Sequence, residues 1–237
     1  MKKDEQNRNF FGEEFISPPI SIADQVYAYL KEKILLGEIK PGERLKQVPV
    51  AQLVKISRTP VRDALRRLEQ EGLVERVPQR GVRVTAIKEE TVKEVFGVRT
   101  VLEAYALQLA CAKISAEEIA SLKNLQHQAQ DILEDKEIRP QVKIKKLFAL
   151  NSQFHELIYR STGNTYLLEI LNNLRNIVER MRYIGLRAEE TWIHVWQEHG
   201  QLINYLEKRD KKAAVNLIKR HLIHAATYVL SSLKKNK

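Results

Sequence analysis

Cys111 is the only cysteine among 237 residues, so the chain can form neither an internal disulfide nor a multi-cysteine zinc site. Long apolar runs are also missing. The longest uninterrupted one, Val26–Leu30, has five residues, against the roughly 20 that span a bilayer. No secretory leader is expected either, because Met1-Lys2-Lys3 leads directly into Asp4-Glu5-Gln6-Asn7 with no apolar stretch behind it. Aromatic residues are only 7%, but an apolar share of 43% suffices for a substantial core, and 30% charged residues argue against a membrane protein. The expectation is a cytoplasmic protein with no membrane partner.

The charge is strongly biased to one sign. Forty Lys and Arg against thirty Asp and Glu give a formal +10, with a pI near 9.6. Such a balance suits a polyanionic partner, nucleic acid first, although a basic soluble protein without one has the same arithmetic. Placement separates the two. Between Lys55 and Arg83 stand eight basic residues (Lys55, Arg58, Arg62, Arg66, Arg67, Arg76, Arg80, Arg83) against four acidic ones.

Residues 1–16 are polar and of mixed charge, which reads as a poorly ordered arm, and Ser17-Pro18-Pro19 punctuates the entry to folded structure. Ile22, Val26, Leu30 and Ile34 form an i, i+4 stripe that predicts an amphipathic helix ending at Gly37. A short second helix is expected from Pro49 to about Lys55. In a third, Thr59 is the expected cap, Pro60 the first helical residue, and Val61, Ala64, Leu65 and Leu68 the buried stripe. Leu73–Val77 and Val82–Thr85, joined by Pro78-Gln79-Arg80-Gly81, have hairpin composition. From about Lys88 the period is helical throughout. One long helix is predicted over Glu89–Lys113, with Val95, Val98, Leu102, Tyr105 and Leu109 on its core side. Ser115-Ala116-Glu117-Glu118 reads as a capping box. Further helices are expected near 116–136, 140–161, 165–186, 190–208 and 211–233.

The fold class is therefore mainly α: an N-terminal winged helix-turn-helix (17–87) and an all-helical bundle (88–237), with the boundary near Ala86–Glu89. The third helix carries the argument for DNA. It buries one stripe while Arg62, Arg66 and Arg67 point away, so it can lie in a major groove where arginine grips guanine edges or phosphates. A solvated charged helix face is the plain alternative. Arg80 and Gly81 at the hairpin tip suit a wing.

The stretches Gly37–Leu45, Ser57-Arg58-Thr59-Pro60-Val61-Arg62-Asp63-Ala64-Leu65-Arg66-Arg67-Leu68, Glu71-Gly72-Leu73-Val74 and Arg80-Gly81-Val82 closely resemble the N-terminal domain of GntR-family bacterial transcription regulators, over about residues 22–87. The resemblance implies that Arg58, Thr59 and Arg62, flanked by Ser57 and Arg66, contact operator DNA and that Arg80 and Gly81 enter the minor groove. One position departs. Where the family usually has a small residue, often glycine, between the second and third helices, this chain has Lys55, which predicts an altered turn or one more phosphate contact.

Arg99-Thr100-Val101-Leu102-Glu103, Asn151-Ser152-Gln153-Phe154-His155, Gly163-Asn164, Glu198-His199 and His221-Leu222 resemble the FCD effector domain of the FadR subfamily, over about residues 90–233. Asn151 and His155 are four apart and share a helix face. With His199 and His221 from later helices they would bind a divalent transition metal such as Zn²⁺ or Ni²⁺. In metal-containing relatives the first ligand is an aspartate, so Asn151 implies a looser metal or none. His127, His194 and His224 read as ordinary partly buried histidines. The resemblance puts Arg99 in the effector pocket, binding a carboxylate; by residues alone it is an i, i+4 surface partner of Glu103.

Three functions follow. The first is a ligand-responsive regulator, with repression the family's commoner habit, binding a palindromic operator as a homodimer and sensing a small carboxylate. The second is a helical metalloenzyme acting on a small organic acid, but no catalytic base is placed by a recognisable motif. A non-specific nucleic-acid binder fits poorly, because the basic residues keep to particular faces.

Overall fold

The computed structural model describes residues 21–78, 80–186 and 189–235. The arm expected over residues 1–16, and Ser17-Pro18-Pro19, lie outside the described residues. The chain order is α1 (Ile22–Leu35), β1 (Arg44–Leu45), α2 (Gln47–Leu53), α3 (Arg58–Gln70), β2 (Val74–Val77), β3 (Gly81–Val84), then α4 (Glu89–Lys113), α5 (Ala116–Glu134), α6 (Pro140–Ser161), α7 (Thr165–Gly185), α8 (Glu189–Glu207) and α9 (Lys211–Lys235). Three helices and a β-hairpin wing thus precede an all-helical bundle, the architecture expected from the sequence.

Around the first core, Val26, Leu30 and Ile34 of α1 meet Val61, Ala64, Leu65 and Leu68 of α3 and Val82 and Val84 of the wing. Ile22, the first member of the predicted stripe, is exposed. The wing is a three-stranded antiparallel sheet of order β1-β3-β2, with Val74 opposite Val84 and Leu45 opposite Val82. β1 was not foreseen, because two residues show no alternation. Both small helices also start earlier than predicted. α2 begins two residues before Pro49, and α3 is entered from Ser57, whose side chain makes no capping hydrogen bond, so that Thr59 and Pro60 lie inside the first turn. Proline is tolerated throughout that turn, where no backbone N–H has a helical partner, so it marks a start only to within a residue or two.

In the bundle the capping box forms as read: Ser115 Oγ accepts from the Glu118 amide at 3.2 Å, and Glu118 accepts from the Ser115 amide at 2.8 Å. α4 has the predicted bounds but buries another face. Val92, Phe96, Arg99, Glu103, Ala106, Leu107 and Ala110 are buried, whereas Val98 and Tyr105, expected inside, are about half exposed, and Val101 is 70% exposed. Apolar residues run nearly all round this helix, so periodicity alone could not choose the face. By length and composition α4 is also apolar enough to cross a membrane, the one such helix among the described residues. Here it runs alongside α9, touches α6, α7 and α8, and buries an ion pair at its middle, as a central bundle helix does.

The two cores meet at α7. Tyr183 packs against both and stacks on Phe148, Arg180 donates to the Thr85 hydroxyl, and Lys145 pairs with Glu32 across the same junction at 2.7 Å.

The turn between α2 and α3 corrects the first of the two expectations for Lys55, the altered turn. Its φ is +54°, so the turn keeps the left-handed conformation that a glycine would favour, with a side chain on it. An L-residue there is strained by about 1–2 kcal/mol, offset in part by the greater unfolded-chain freedom of glycine. Lys55→Gly should therefore raise the unfolding free energy by up to about 1 kcal/mol. Denaturant titration beside Lys55→Ala, which keeps the strain, checks this. A glycine variant no more stable than the alanine one would remove the argument.

Candidate functional site

Two groups of side chains stand out, one on the surface of the N-terminal unit and one inside the bundle. On the surface, Ser57, Arg58, Thr59, Arg62 and Arg66 are all exposed along the start and outer face of α3, and Arg80 is exposed in the β2–β3 turn. Arg62 approaches Asp63 at 3.5 Å, while Arg58, Arg66 and Arg80 form no ion pair among the described residues. Arg62, Arg66 and Arg76 line a groove between α3 and the wing, with Gly81 at its edge. Arg67 does not belong to this face. It pairs with Asp24 and lies 4.1 Å over the Tyr27 ring, tying α3 to α1. Gly81 has a structural reason to be glycine: its φ is +86°, and a Cβ would come within 2.6 Å of the Leu45 carbonyl oxygen in β1.

Inside the bundle, α6, α8 and α9 bring His155, His199 and His221 together, all buried, each with a ring nitrogen within 4.8 Å of the others. Glu198 Oε2 accepts from His221 Nδ1 at 2.7 Å, and Glu103 Oε2 lies 3.3 Å from His155 Nδ1. Carboxylates on the outer ring nitrogens orient the imidazoles and leave the opposite nitrogens for the cluster. His199 is held differently, stacked on Phe154 with 4.0 Å between ring centroids. Both of its nitrogens, His155 Nε2 and the Nδ2 of buried Asn151 have no hydrogen-bond partner among the described residues. Each such orphan costs about 1–3 kcal/mol; a cation would engage His155 Nε2 and one nitrogen of His199, whereas the Asn151 NH₂, a donor, would stay unmatched. Burial holds His155 down to about 3 against the opposing pull of Glu103, and holds His199 well below its usual value. The His155 and His199 rings are thus neutral in the physiological range, as metal ligands must be. The donor set fits a transition metal.

Beside the cluster is a cleft with about 40 Å³ of free volume, room for a few waters, whose walls include Arg99, Glu103, His155, Tyr159, Arg175 and Arg182. Arg99 and Glu103 do pair, but in the interior: Nε and Nη2 donate to Glu103 Oε1 at 2.9 and 2.6 Å, with both side chains at most 3% exposed. Burial pushes the Glu103 carboxyl up, but Arg99, His155 and Arg182 together hold it well below the usual carboxylate range. Arg182, which the sequence reading missed, is buried and makes no ion pair among the described residues. Burial, with Arg99 adding repulsion, lowers it to about 10, so it keeps its charge. His194 and His224 are partly buried, as read, and both also contact Glu198. His127 departs from the reading: it is exposed and paired with Asp131 at 3.0 Å.

Removing one partner of a buried ion pair strands the other charge. Glu103→Gln should therefore destabilise the protein by about 3–5 kcal/mol, whereas Arg99→Met with Glu103→Leu should cost much less. Thermal and denaturant unfolding of the two proteins provides the comparison; equal losses would show that packing, and not charge, fixes this position.

Comparison with known proteins matches the same two regions. Residues 22–84 match the family described as bacterial regulatory proteins, gntR family, and residues 94–224 match the FCD domain. The HTH-type transcriptional regulator YdhC of Bacillus subtilis (strain 168) is 26% identical over 90% of this chain and 93% of its own length. The HTH-type transcriptional repressor RspR of Escherichia coli (strain K12) is 26% identical over 87% and 88%. The solved structure of E. coli McbR/YncC superposes with a TM-score of 0.71 at 22% identity, covering 90% of this chain and 99% of that one, a likeness of fold. The matched family and the two relatives aligned by sequence are described as regulators, not enzymes, which sets the metalloenzyme reading aside. The chain belongs to the GntR family of bacterial transcription regulators and carries an FCD effector domain.

Proposed function

We propose that the protein acts in the cytoplasm as a FadR-type repressor, a homodimer that binds a palindromic operator through residues 17–87 and releases it when residues 88–237 bind a small carboxylate. The observation that carries this reading is the exposed, largely unpaired arginine face of α3 in one unit, joined through α7 to a buried cationic cleft in the other. Arg58, Thr59, Arg62 and Arg66, with Ser57 at the helix entry, address the major groove, while Arg80 on the tip closed by Gly81 reaches the adjoining groove or phosphates. A two-fold operator needs a two-fold protein. Val98, Val101 and Tyr105 form an exposed apolar stripe along one side of α4 that a second copy would cover.

Arg62→Ala and Arg58→Ala should each weaken operator binding by about 1–3 kcal/mol if they read bases. If they touch only phosphates, binding falls on all sequences and the salt slope drops by about one unit. Titration of the DNA flanking the protein's own gene at several salt concentrations, with sedimentation of the free protein, tests the face and the dimer. Full affinity in both variants, or a monomer on and off DNA, would overturn this part of the reading.

In the bundle, His155, His199, His221 and Asn151 would hold Zn²⁺ or Ni²⁺. Such an ion supplies a Lewis-acidic cation with open positions for a carboxylate. Arg99 and Arg182 complete the anion site from the side of the cleft. The cleft is tight, so a carboxylate enters only as a wall yields. That wall is α7, through Leu171, Arg175, Val178 and Arg182, and Arg180 and Tyr183 of the same helix touch the N-terminal unit. Effector binding and DNA binding are thereby linked through one rigid element.

Asn151 sets the charge of the site. Four neutral ligands leave a dication uncompensated, apart from Glu198 behind His221 and a Glu103 already engaged by Arg99. A carboxylate effector supplies what is lacking, so metal and effector should tighten one another by the same factor. Asn151→Asp should raise metal affinity without effector by about tenfold or more, about 1.4 kcal/mol, and reduce that coupling. Calorimetric titration of Zn²⁺ or Ni²⁺ into both proteins, with and without small carboxylic acids found by thermal shift, measures it. Equal metal affinity in the two proteins would remove Asn151 from the ligand set.

A further inference from the structure

A second set of donors lies between α8 and α9, on the far side of Glu198 from the buried cluster. His194 and Glu198 are four residues apart on α8 and share its face, and His224 comes across from α9. Their donor atoms are close to one another: His224 Nδ1 is 2.9 Å from Glu198 Oε1, His194 Nε2 is 3.1 Å from His224 Nδ1, and His194 Nε2 is 3.5 Å from Glu198 Oε1. Ligands on a tetrahedral zinc ion with bonds near 2.0–2.1 Å are separated by about 3.3–3.4 Å, so these three atoms already approximate one face of such a tetrahedron.

Hydrogen bonding alone serves this trio poorly. If the His224 Nδ1 proton goes to Glu198, His194 Nε2 can only share that same proton. If His194 Nε2–H instead donates to an unprotonated His224 Nδ1 across 3.1 Å, that nitrogen faces the Glu198 carboxylate oxygen at 2.9 Å with no proton between them. A cation between the three atoms engages a lone pair on each. Glu198 is held for the purpose: its carboxylate is 4% exposed, and its other oxygen is anchored by His221 Nδ1 at 2.7 Å. The two imidazoles are more open, at 40% and 36%, so the site faces solvent and can exchange its ion.

We infer that His194, Glu198 and His224 form a second, solvent-facing site for a divalent transition metal of the Zn²⁺ type. Two imidazoles and one carboxylate are borderline ligands that favour such ions over Mg²⁺ or Ca²⁺. The fourth position stays open to water. The site stands on its own donors and does not need the buried cluster to be occupied.

The test is the stoichiometry of Zn²⁺ binding to the full chain after stripping with a chelator, followed by calorimetry and repeated with Co²⁺ absorption. His194→Gln and His224→Gln change half-exposed side chains, and far-UV circular dichroism verifies that both fold. His127→Gln, at an exposed histidine elsewhere on the surface, is the control. The wild type and the control should bind one equivalent more than either site variant. Two equivalents falling to one supports both sites; one falling to none supports this site and removes the buried one. Equal stoichiometry in the wild type and the site variants overturns the inference, whether the shared value is one, which leaves the buried cluster standing, or none.

Discussion

The interior of the bundle depends on keeping a carboxylate, Glu103, charged where solvent does not reach it. An isolated carboxylate in that environment costs several kcal/mol or takes up a proton. Arg99 one turn earlier on α4 neutralises one oxygen, and His155 on α6 faces the other. This pairing fixes which side of α4 turns inward, although the neighbouring valines offer alternatives. It also directs His155 so that its free nitrogen joins His199 and His221. Glu198 repeats the arrangement on the opposite flank, holding His221 with one oxygen. Two buried carboxylates thus determine where two of the three clustered imidazoles point.

Under the proposed function, the same constraint is what would let α7 carry information between the two halves. Its inner face supplies Arg182 to the cleft, where a cation without a paired carboxylate remains charged. One turn or less along the helix, Arg180 reaches Thr85 just beyond the wing, and Tyr183 wedges between the two cores. Gly185, near the end of α7, allows close contact with α9: a Cβ there would lie 2.8 Å from Val229. A helix seated this closely moves as a body. On the proposed function, an anion drawing on Arg182 would act on Thr85 and Tyr183 through the body of this one helix.

The helices were legible because their ends carry chemistry of their own. The Ser115–Glu118 box, Asn164 capping α7 and the left-handed Gly37 and Gly163 each act within a few residues, and those boundaries fall where they were read. Facing was less legible, because it depends on partners distant in sequence. α4 looked like a valine-lined helix, and the Arg99–Glu103 spacing looked like a surface pair, when burial of that pair is what orients the helix. His155, His199, His221 and Asn151 were found through resemblance. Arg182 escaped because a lone arginine on an amphipathic helix has no local mark of burial. His194 did leave a signal: it stands four residues before Glu198, the spacing that Asn151 and His155 also have.

The arginine-rich N-terminal half shows how pairing divides one charge count into two roles. Of the eight basic residues between Lys55 and Arg83, Arg67, Arg76 and Arg83 are taken by Asp24, Glu69 and Glu75. These pairs tie α3 to α1, α3 to β2, and β2 to β3, so they position the recognition helix and the wing. Lys55, Arg58, Arg66 and Arg80 have no ion pair among the described residues, and Arg62 has only a loose contact with Asp63. Only unpaired cations displace counterions from a phosphate backbone at full effect, because a guanidinium already on a carboxylate must first give it up. On the proposed function, the electrostatic footprint on DNA would therefore be smaller than composition suggests and sharply placed, at the entry to α3, along its outer face and at the wing tip. A net charge of +10 spread evenly would bind any polyanion; the acidic partners in this unit leave the free charge where a groove-reading helix can use it.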